Sequence, residues 1–148
     1  MNNHTYLRAY LAGVCIPTLI FPVLITLLLV AKLVAPEPIP VERIVIFPLA
    51  FVPALWGFWN VLWVALRKFS NVPLGLHGAI LPFLLLPAGA SLAKCLGVIT
   101  FGSASVTWFQ AIEAPYWLVG CGFAFGLVLY YLVWKYIIGF VNRVLGIA

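Results

Sequence analysis

The chain has 148 residues, of which 66% are hydrophobic and only 7% charged, and its formal net charge is +5. A water-soluble domain usually needs about 25% charged residues to cover its surface, so this composition excludes one. The basic residues are scattered along the chain rather than clustered, which excludes a nucleic-acid-binding face.

Four apolar stretches account for most of the chain. Each is long enough to cross a hydrocarbon core of about 30 Å as a helix that rises about 1.5 Å per residue. They cover approximately residues 11–34, 44–66, 76–99 and 116–136. The sequence therefore predicts an all-α integral membrane protein, with residues 1–148 forming one up-down bundle of four transmembrane helices in the lipid bilayer.

Pairs of prolines five residues apart recur in the first three stretches. The pairs are Pro17 and Pro22, Pro48 and Pro53, and Pro82 and Pro87. Because proline removes a backbone donor and bends a helix, the pairs predict kinked helices. Broken helices that line a cavity, as in transporters, are one interpretation. The other, which we expect, is that neighbouring helices tolerate the kinks.

The connections between the stretches differ in character. The first, residues 35–40, is rich in proline and predicts an extended crossing. The third, residues 100–115, is the longest, and Ser103 or Ser105 is suited to cap a short helix lying at the membrane interface.

The distribution of charge predicts the orientation. One side of a four-pass arrangement carries only basic residues, namely Arg8, Arg67, Lys68, Lys135 and Arg143. The other side mixes both signs, with Lys32, Arg43 and Lys94 beside Glu37, Glu42 and Glu113. Basic loops stay in the cytoplasm, so we expect both termini there and a location in the cell inner (plasma) membrane. At the opposite face, Lys94 and Glu113 are predicted to form an ion pair.

The second stretch carries an aromatic and polar stripe. Trp56, Trp59, Asn60 and Trp63 fall within about 100° of one another on a helix. An amide in hydrocarbon is costly unless it is paired, so Asn60 should face other helices. We expect the stripe to hold helices together. The alternative is an aromatic-walled binding site for a flat or lipid-like ligand.

His77 lies near the cytoplasmic entry of the third stretch, with Gly75 and Gly78 on either side. The glycines allow another backbone to approach closely. We expect an interfacial hydrogen bonder here; a headgroup contact or a pH sensor is the alternative.

The fourth stretch contains Gly122 and Gly126 in a Gly-x-x-x-Gly pattern. This pattern predicts close helix packing, either within the chain or between subunits. Further along, Tyr130, Tyr131, Trp134 and Tyr136 are predicted to form an aromatic belt at the cytoplasmic interface.

Motifs for catalysis, metals and cofactors are missing from the sequence. No charged residue falls in the middle of a stretch, and no carboxylate pair or Ser-His-acid set is placed for chemistry. The three cysteines form no Cys-x-x-Cys motif, so no metal or cofactor is expected. Cys95 and Cys121 fall at similar depth, which leaves a disulfide as an alternative to two free thiols.

These features predict a non-catalytic interaction or assembly protein of the membrane, working as a homo-oligomer or with a membrane-protein partner. Two alternatives stay open. One is an oligomeric channel or carrier for a small solute or lipid-like molecule, which would use the proline-broken helices. The other is a lipid-modifying enzyme, for which His77, Asn60 and Glu113 are the polar candidates.

Overall fold

The computed structural model of the protein describes residues 4–34, 41, 45, 49–110 and 112–147, and it is mostly helical. Its helices are α1 (Thr5–Val34), α2 (Val52–Leu66, preceded by a 3-10 turn at Leu49–Phe51), α3 (Leu74–Cys95), α4 (Tyr116–Leu132) and α5 (Gly139–Val144). A π-helical turn, Val133–Ile138, joins α4 to α5 without a break.

Four helical segments of the described chain are long and apolar enough to cross a membrane. They are Thr5–Val34, Leu49–Leu66, Leu74–Cys95 and Tyr116–Val144. The prediction of four such helices is therefore confirmed. The proline-rich connection 35–40, together with Glu37, Glu42, Arg43 and Pro48, lies outside the described residues.

The prolines occupy two kinds of position. α1 contains Pro17 and Pro22, and α3 contains Pro82 and Pro87, so both helices continue through their prolines. Pro53 instead lies in the first turn of α2, where a missing N–H breaks no helical hydrogen bond. Helix kinks at the internal prolines stay a prediction.

α3 ends at Cys95, four residues before the end predicted from hydropathy. Gly97 has a φ of +66°, the left-handed conformation that glycine adopts without strain. The N–H of Gly97 donates to the carbonyl of Lys94, and the N–H of Val98 donates to that of Ala93. These two bonds form a Schellman motif, which stops the helix.

The connection between α3 and α4 is a small β-sheet, so the predicted interfacial helix was wrong. Strands β1 (Ile99–Phe101), β2 (Ser105–Trp108) and β3 (Ile112–Pro115) pair antiparallel in the order β1-β2-β3. Ser105 lies within β2 rather than at a helix cap. β-Branched and aromatic residues favour strands, and the buried side chains of Ile99 and Val106 hold the sheet against the helices.

The helices pack as two antiparallel pairs. In the first, α1 crosses α2 so closely that a Cβ built on Gly13 would lie 2.4 Å from the carbonyl oxygen of Trp56. In the second, α3 packs along α4 and its continuation. There, a Cβ on Gly78 would lie 2.0 Å from Cγ of Trp134. The ring centroids of Phe83 and Phe123 are 5.2 Å apart.

One end of the molecule holds the start of α1 and the C-terminal segment up to Ile147, and we call it the termini end. There the guanidinium of Arg8 donates to the carbonyl of Leu145 over 3.4 Å, and that of Arg67 donates to the carbonyl of Ile147. The start of α1, the end of α2 and the C-terminal segment therefore meet. The three-stranded sheet, between the end of α3 and the start of α4, marks the opposite end, the sheet end.

The two helix pairs join through a buried core. Trp56 of α2, Leu81 of α3, and Trp134 and Ile138 of the π-helical turn form one cluster. A second cluster, nearer the termini end, is formed by Ala9, Ala12, Val64 and Ile147. Large side chains elsewhere on α1 and α4 face outward, as lipid-facing helices require.

Candidate functional site

The deepest polar contact in the described chain is a pair of amides. Asn60 and Asn142 are both fully buried and exchange two hydrogen bonds. Nδ2 of Asn60 donates to Oδ1 of Asn142 over 2.8 Å, and Nδ2 of Asn142 donates back over 3.1 Å. Nδ2 of Asn60 also donates to the carbonyl of Ala9 over 2.8 Å, so the pair ties together α1, α2 and α5.

Trp59 and His77 form a second polar contact, between α2 and α3. Their rings stack with centroids 4.5 Å apart. The indole N–H of Trp59 donates to the backbone carbonyl of His77 over 2.9 Å, and Nε2 of His77 lies 3.1 Å from the carbonyl of Trp59. A carbonyl only accepts, so Nε2 carries the imidazole proton. Both rings are thus used to hold the two helices together.

Trp56 links α2 to α4. Its indole N–H donates to the hydroxyl of Tyr130 over 3.3 Å, and the two rings meet edge to face at 5.3 Å. The ring of Trp134 lies 5.6 Å from that of Trp56 and is fully buried. Among the described residues, the indole N–H of Trp134 is the buried side-chain donor that has no hydrogen-bond partner.

Trp63 lies at the end of α2, beside the basic residues. Its indole N–H donates to the carbonyl of Val72 in the turn before α3, over 3.3 Å. The guanidinium of Arg67 lies over the Trp63 ring at 5.6 Å while donating to Ile147. The termini end is therefore closed by hydrogen bonds that its own arginines and tryptophan donate.

The structure thus brings the predicted stripe and His77 into one region, where each side chain bonds another part of the chain. Two members of this region were not predicted. Asn142 falls beyond the predicted fourth span, and Trp134 was predicted to belong to the aromatic belt at the cytoplasmic interface. Trp134 is buried, whereas Tyr136, two residues further along the π-helical turn, is 58% exposed.

Lys94 and Glu113, the two residues of the predicted ion pair, lie on different elements at the sheet end. Glu113 lies on β3, where its carboxylate accepts a hydrogen bond from the hydroxyl of Ser105 on β2. Lys94 is exposed on the last turn of α3, and in the part of the chain that the structure describes no ion pair joins it to Glu113.

The glycines of α4 have open space where a side chain would lie. A Cβ built on Gly122 or Gly126 would have open space within 4 Å, in contrast to Gly13 and Gly78. No described helix of this chain therefore packs closely against the Gly-x-x-x-Gly pattern. Cys95 and Cys121 are both exposed, and both are free thiols. The described residues contain no group of three or more His, Cys, Asp or Glu side chains able to hold a metal ion.

A large apolar cavity lies on the sheet side of the molecule, between α3, α4 and the β-sheet. Its volume is about 520 Å³, and its walls are almost entirely carbon. Its lining residues are Pro82, Leu85, Leu86, Gly89, Ala90, Ala93, Ile99, Phe101, Val106, Trp108, Tyr116, Val119, Phe123 and Tyr130. None of the predicted site residues lines it.

Comparisons of this chain with family models, with curated protein sequences and with solved structures find no match.

Proposed function

We propose that this protein is a non-catalytic interaction or assembly protein of the cell inner membrane, with both termini in the cytoplasm and its helices crossing the bilayer up and down. The observation that carries the proposal is that the polar side chains of the helical core, apart from the indole N–H of Trp134, are hydrogen-bonded within the chain. Asn60 binds Asn142 and Ala9, His77 binds Trp59, and Trp56 binds Tyr130.

Catalysis would need polar groups that converge on one reacting atom. His77 and Asn60 lie near the termini end, whereas Glu113 lies on the sheet beyond the far end of α3. That helix has 22 residues, which at about 1.5 Å per residue separates the two ends by roughly 30 Å. This separation argues against the lipid-modifying enzyme. A water-filled channel is disfavoured in turn because the cavity between α3, α4 and the β-sheet is lined almost entirely by carbon.

The first partner to test is a second copy of this chain, packed along the open glycine face of α4. Helices in lipid associate through close van der Waals contact, and small residues permit it. Gly122 and Gly126 leave open space, and Leu129, about three residues further along the same side, is 48% exposed. Two copies related by a two-fold axis would bring these faces together.

The test is disulfide crosslinking in native membranes, in a variant that lacks Cys15, Cys95 and Cys121. Leu129→Cys should give crosslinked dimers on oxidation. Ala124→Cys is the matched control, because it is exposed on α4 but lies about 200° from both glycines and should not crosslink.

Adding Gly126→Leu to the Leu129→Cys variant should reduce the dimer yield, since the larger side chain holds the helices apart. Native mass measurement in mild detergent should show the same loss of assembly. If Leu129→Cys and Ala124→Cys crosslink equally, or if Gly126→Leu changes nothing, the glycine face is not an interface between copies and self-assembly through α4 is refuted.

A further inference from the structure

We infer that the apolar cavity between α3, α4 and the β-sheet is a binding site for one acyl chain of a phospholipid, and that Lys94 binds the phosphate of that lipid. The inference does not depend on the proposed self-assembly. It rests on the length, lining and open side of the cavity, and on the charge at its end.

The cavity has the length of one leaflet of the bilayer. Its lining on α3 runs from Pro82 to Ala93, which at about 1.5 Å per residue is roughly 16 Å along the helix. Half of a hydrocarbon core of about 30 Å is similar. A cavity that runs along a membrane helix lies along the direction of the lipid chains, so an acyl chain enters it without turning.

The lining is almost entirely carbon, and the hydroxyls of its two tyrosines both take part in hydrogen bonds. Its tyrosines are Tyr116 and Tyr130. The hydroxyl of Tyr116 donates to the carbonyl of Gly102 over 2.7 Å, and that of Tyr130 accepts from Trp56. A volume of about 520 Å³ falls within the usual range of ligand sites, about 300–1,000 Å³. A flexible hydrocarbon chain needs no polar partner, whereas a sugar, a nucleotide or a hydrated ion does.

The cavity is open on one side, toward the lipid-facing surface. Leu86 and Phe101 line it and are still 48% and 52% exposed. Next to them on the outside of the helices are further exposed apolar side chains, such as Phe83 at 56%. A ligand therefore reaches the cavity from the bilayer rather than from water.

The end of the cavity carries a positive charge. Lys94 follows the lining residue Ala90 by four positions, so it lies one helical turn further along the same face of α3. It is exposed, and no other described residue forms an ion pair with it. An ammonium at this height fits the phosphate of a lipid whose chain fills the cavity. This charge selects a phospholipid over a neutral hydrocarbon.

The test uses a phosphatidylglycerol that carries a photoactivatable diazirine at the end of one acyl chain, mixed into phosphatidylcholine vesicles containing the full chain. After illumination, peptide mass analysis should place the adducts on the α3 and α4 segments that line the cavity. Even labelling of all the exposed helix surfaces would show ordinary boundary lipid and refute the site. If a second protein chain occupies the cavity and prevents the labelling, the cavity belongs to a protein partner, and the acyl-chain site is refuted as well.

Two glycines provide a matched pair of variants. A Cβ on Gly89, which lines the cavity, and one on Gly120, which does not, both meet open space within 4 Å. Gly89→Phe should fill the cavity and lower its labelling about tenfold, equivalent to roughly 1.4 kcal/mol of lost binding. Gly120→Phe should leave labelling unchanged. Equal labelling of the two variants would contradict the proposal. Should Gly89→Phe fail to fold, Val119→Phe fills the cavity from α4 and is judged by the same criterion.

The phosphate contact is tested separately, with a diacylglycerol that carries the same photoactivatable chain. Wild type should prefer the phosphatidylglycerol probe, and Lys94→Gln should remove that preference while the diacylglycerol still labels. Lys68→Gln, at the other end of the molecule, is the control and should keep the preference. An unchanged preference in Lys94→Gln would overturn the assignment of Lys94 to the phosphate.

Discussion

At the scale of single residues, the amide pair determines how α2 and α5 are held. Asn60 and Asn142 are both buried, and each satisfies the other, so removing one leaves a donor and an acceptor of the other without a partner. Asn60 also satisfies the carbonyl of Ala9. An unpaired polar group away from water costs more than the hydrogen bond itself contributes.

We therefore expect Asn60→Leu to destabilise the protein by about 1–3 kcal/mol. The double variant Asn60→Leu/Asn142→Leu should cost less than the sum of the two single variants, because no amide is then left unpaired. The free energy of unfolding in detergent, measured for all four proteins of this cycle, checks the expectation. Strict additivity would mean that the two amides do not interact.

The sequence could predict that Asn60 is buried between helices, but not what it pairs with. An isolated amide in an apolar stretch calls for a partner whatever the fold, because an unpaired amide is costly in hydrocarbon. Its partner Asn142 is 82 residues away, and only the path of the chain brings the two together. Trp134 could not be placed either, since it was predicted in the interfacial belt and lies buried in the core, within a π-helical turn.

At the scale of the helices, hydropathy located the segments but not their ends or the sheet. Gly97 was a readable stop signal for α3, since a glycine just past a helix often adopts the left-handed conformation. The strands after it are three or four residues long, and their pairing depends on contacts between Val106, Phe101 and Ala114 that no short sequence pattern specifies. The cavity under the sheet could not be predicted for the same reason.

Glycines set the distance between helices, and their contacts predict which substitutions are tolerated. Gly78→Ala places a methyl group at 2.0 Å from Cγ of the buried Trp134, so either α3 or the indole must move. We expect overpacking to destabilise the protein by about 1–3 kcal/mol. Gly120→Ala is the control, because its Cβ meets open space and alanine favours a helix.

Melting temperature and the near-ultraviolet circular dichroism of the aromatic core measure this difference. Gly78→Ala should lower the melting temperature and alter the circular dichroism, whereas Gly120→Ala should change neither. Equal behaviour of the two variants would mean that α3 does not approach Trp134 as closely as described.

At the scale of the whole molecule, the contacts at the termini end bring the basic residues to one place. Arg8 and Arg67 bind the carbonyls of Leu145 and Ile147, and Lys135 lies between the rings of Tyr131 and Tyr136 at 5.4 and 5.1 Å. The arginines thus have two roles, since they close the C-terminal segment and add positive charge to one face. In the proposed orientation, this basic face stays in the cytoplasm during insertion.

This orientation predicts which loops can be reached from outside the cell. In a variant without Cys15, Cys95 and Cys121, a cysteine at Ser70, in the turn between α2 and α3, should resist a membrane-impermeant maleimide applied to intact cells. A cysteine at Ser103, in the turn between β1 and β2, should react. Removing the native thiols matters because Cys95 and Cys121 are exposed near the sheet end and would react themselves.

Permeabilised cells provide the control, since both cysteines should react once the reagent reaches each side. Reaction of Ser70→Cys in intact cells, with protection of Ser103→Cys, would invert the orientation and place the arginine-closed termini end outside. That inversion would also move Lys94 and the acyl-chain cavity to the cytoplasmic leaflet. The labelling pattern therefore decides which leaflet supplies the lipid, because the cavity lies in the half of α3 nearer the sheet.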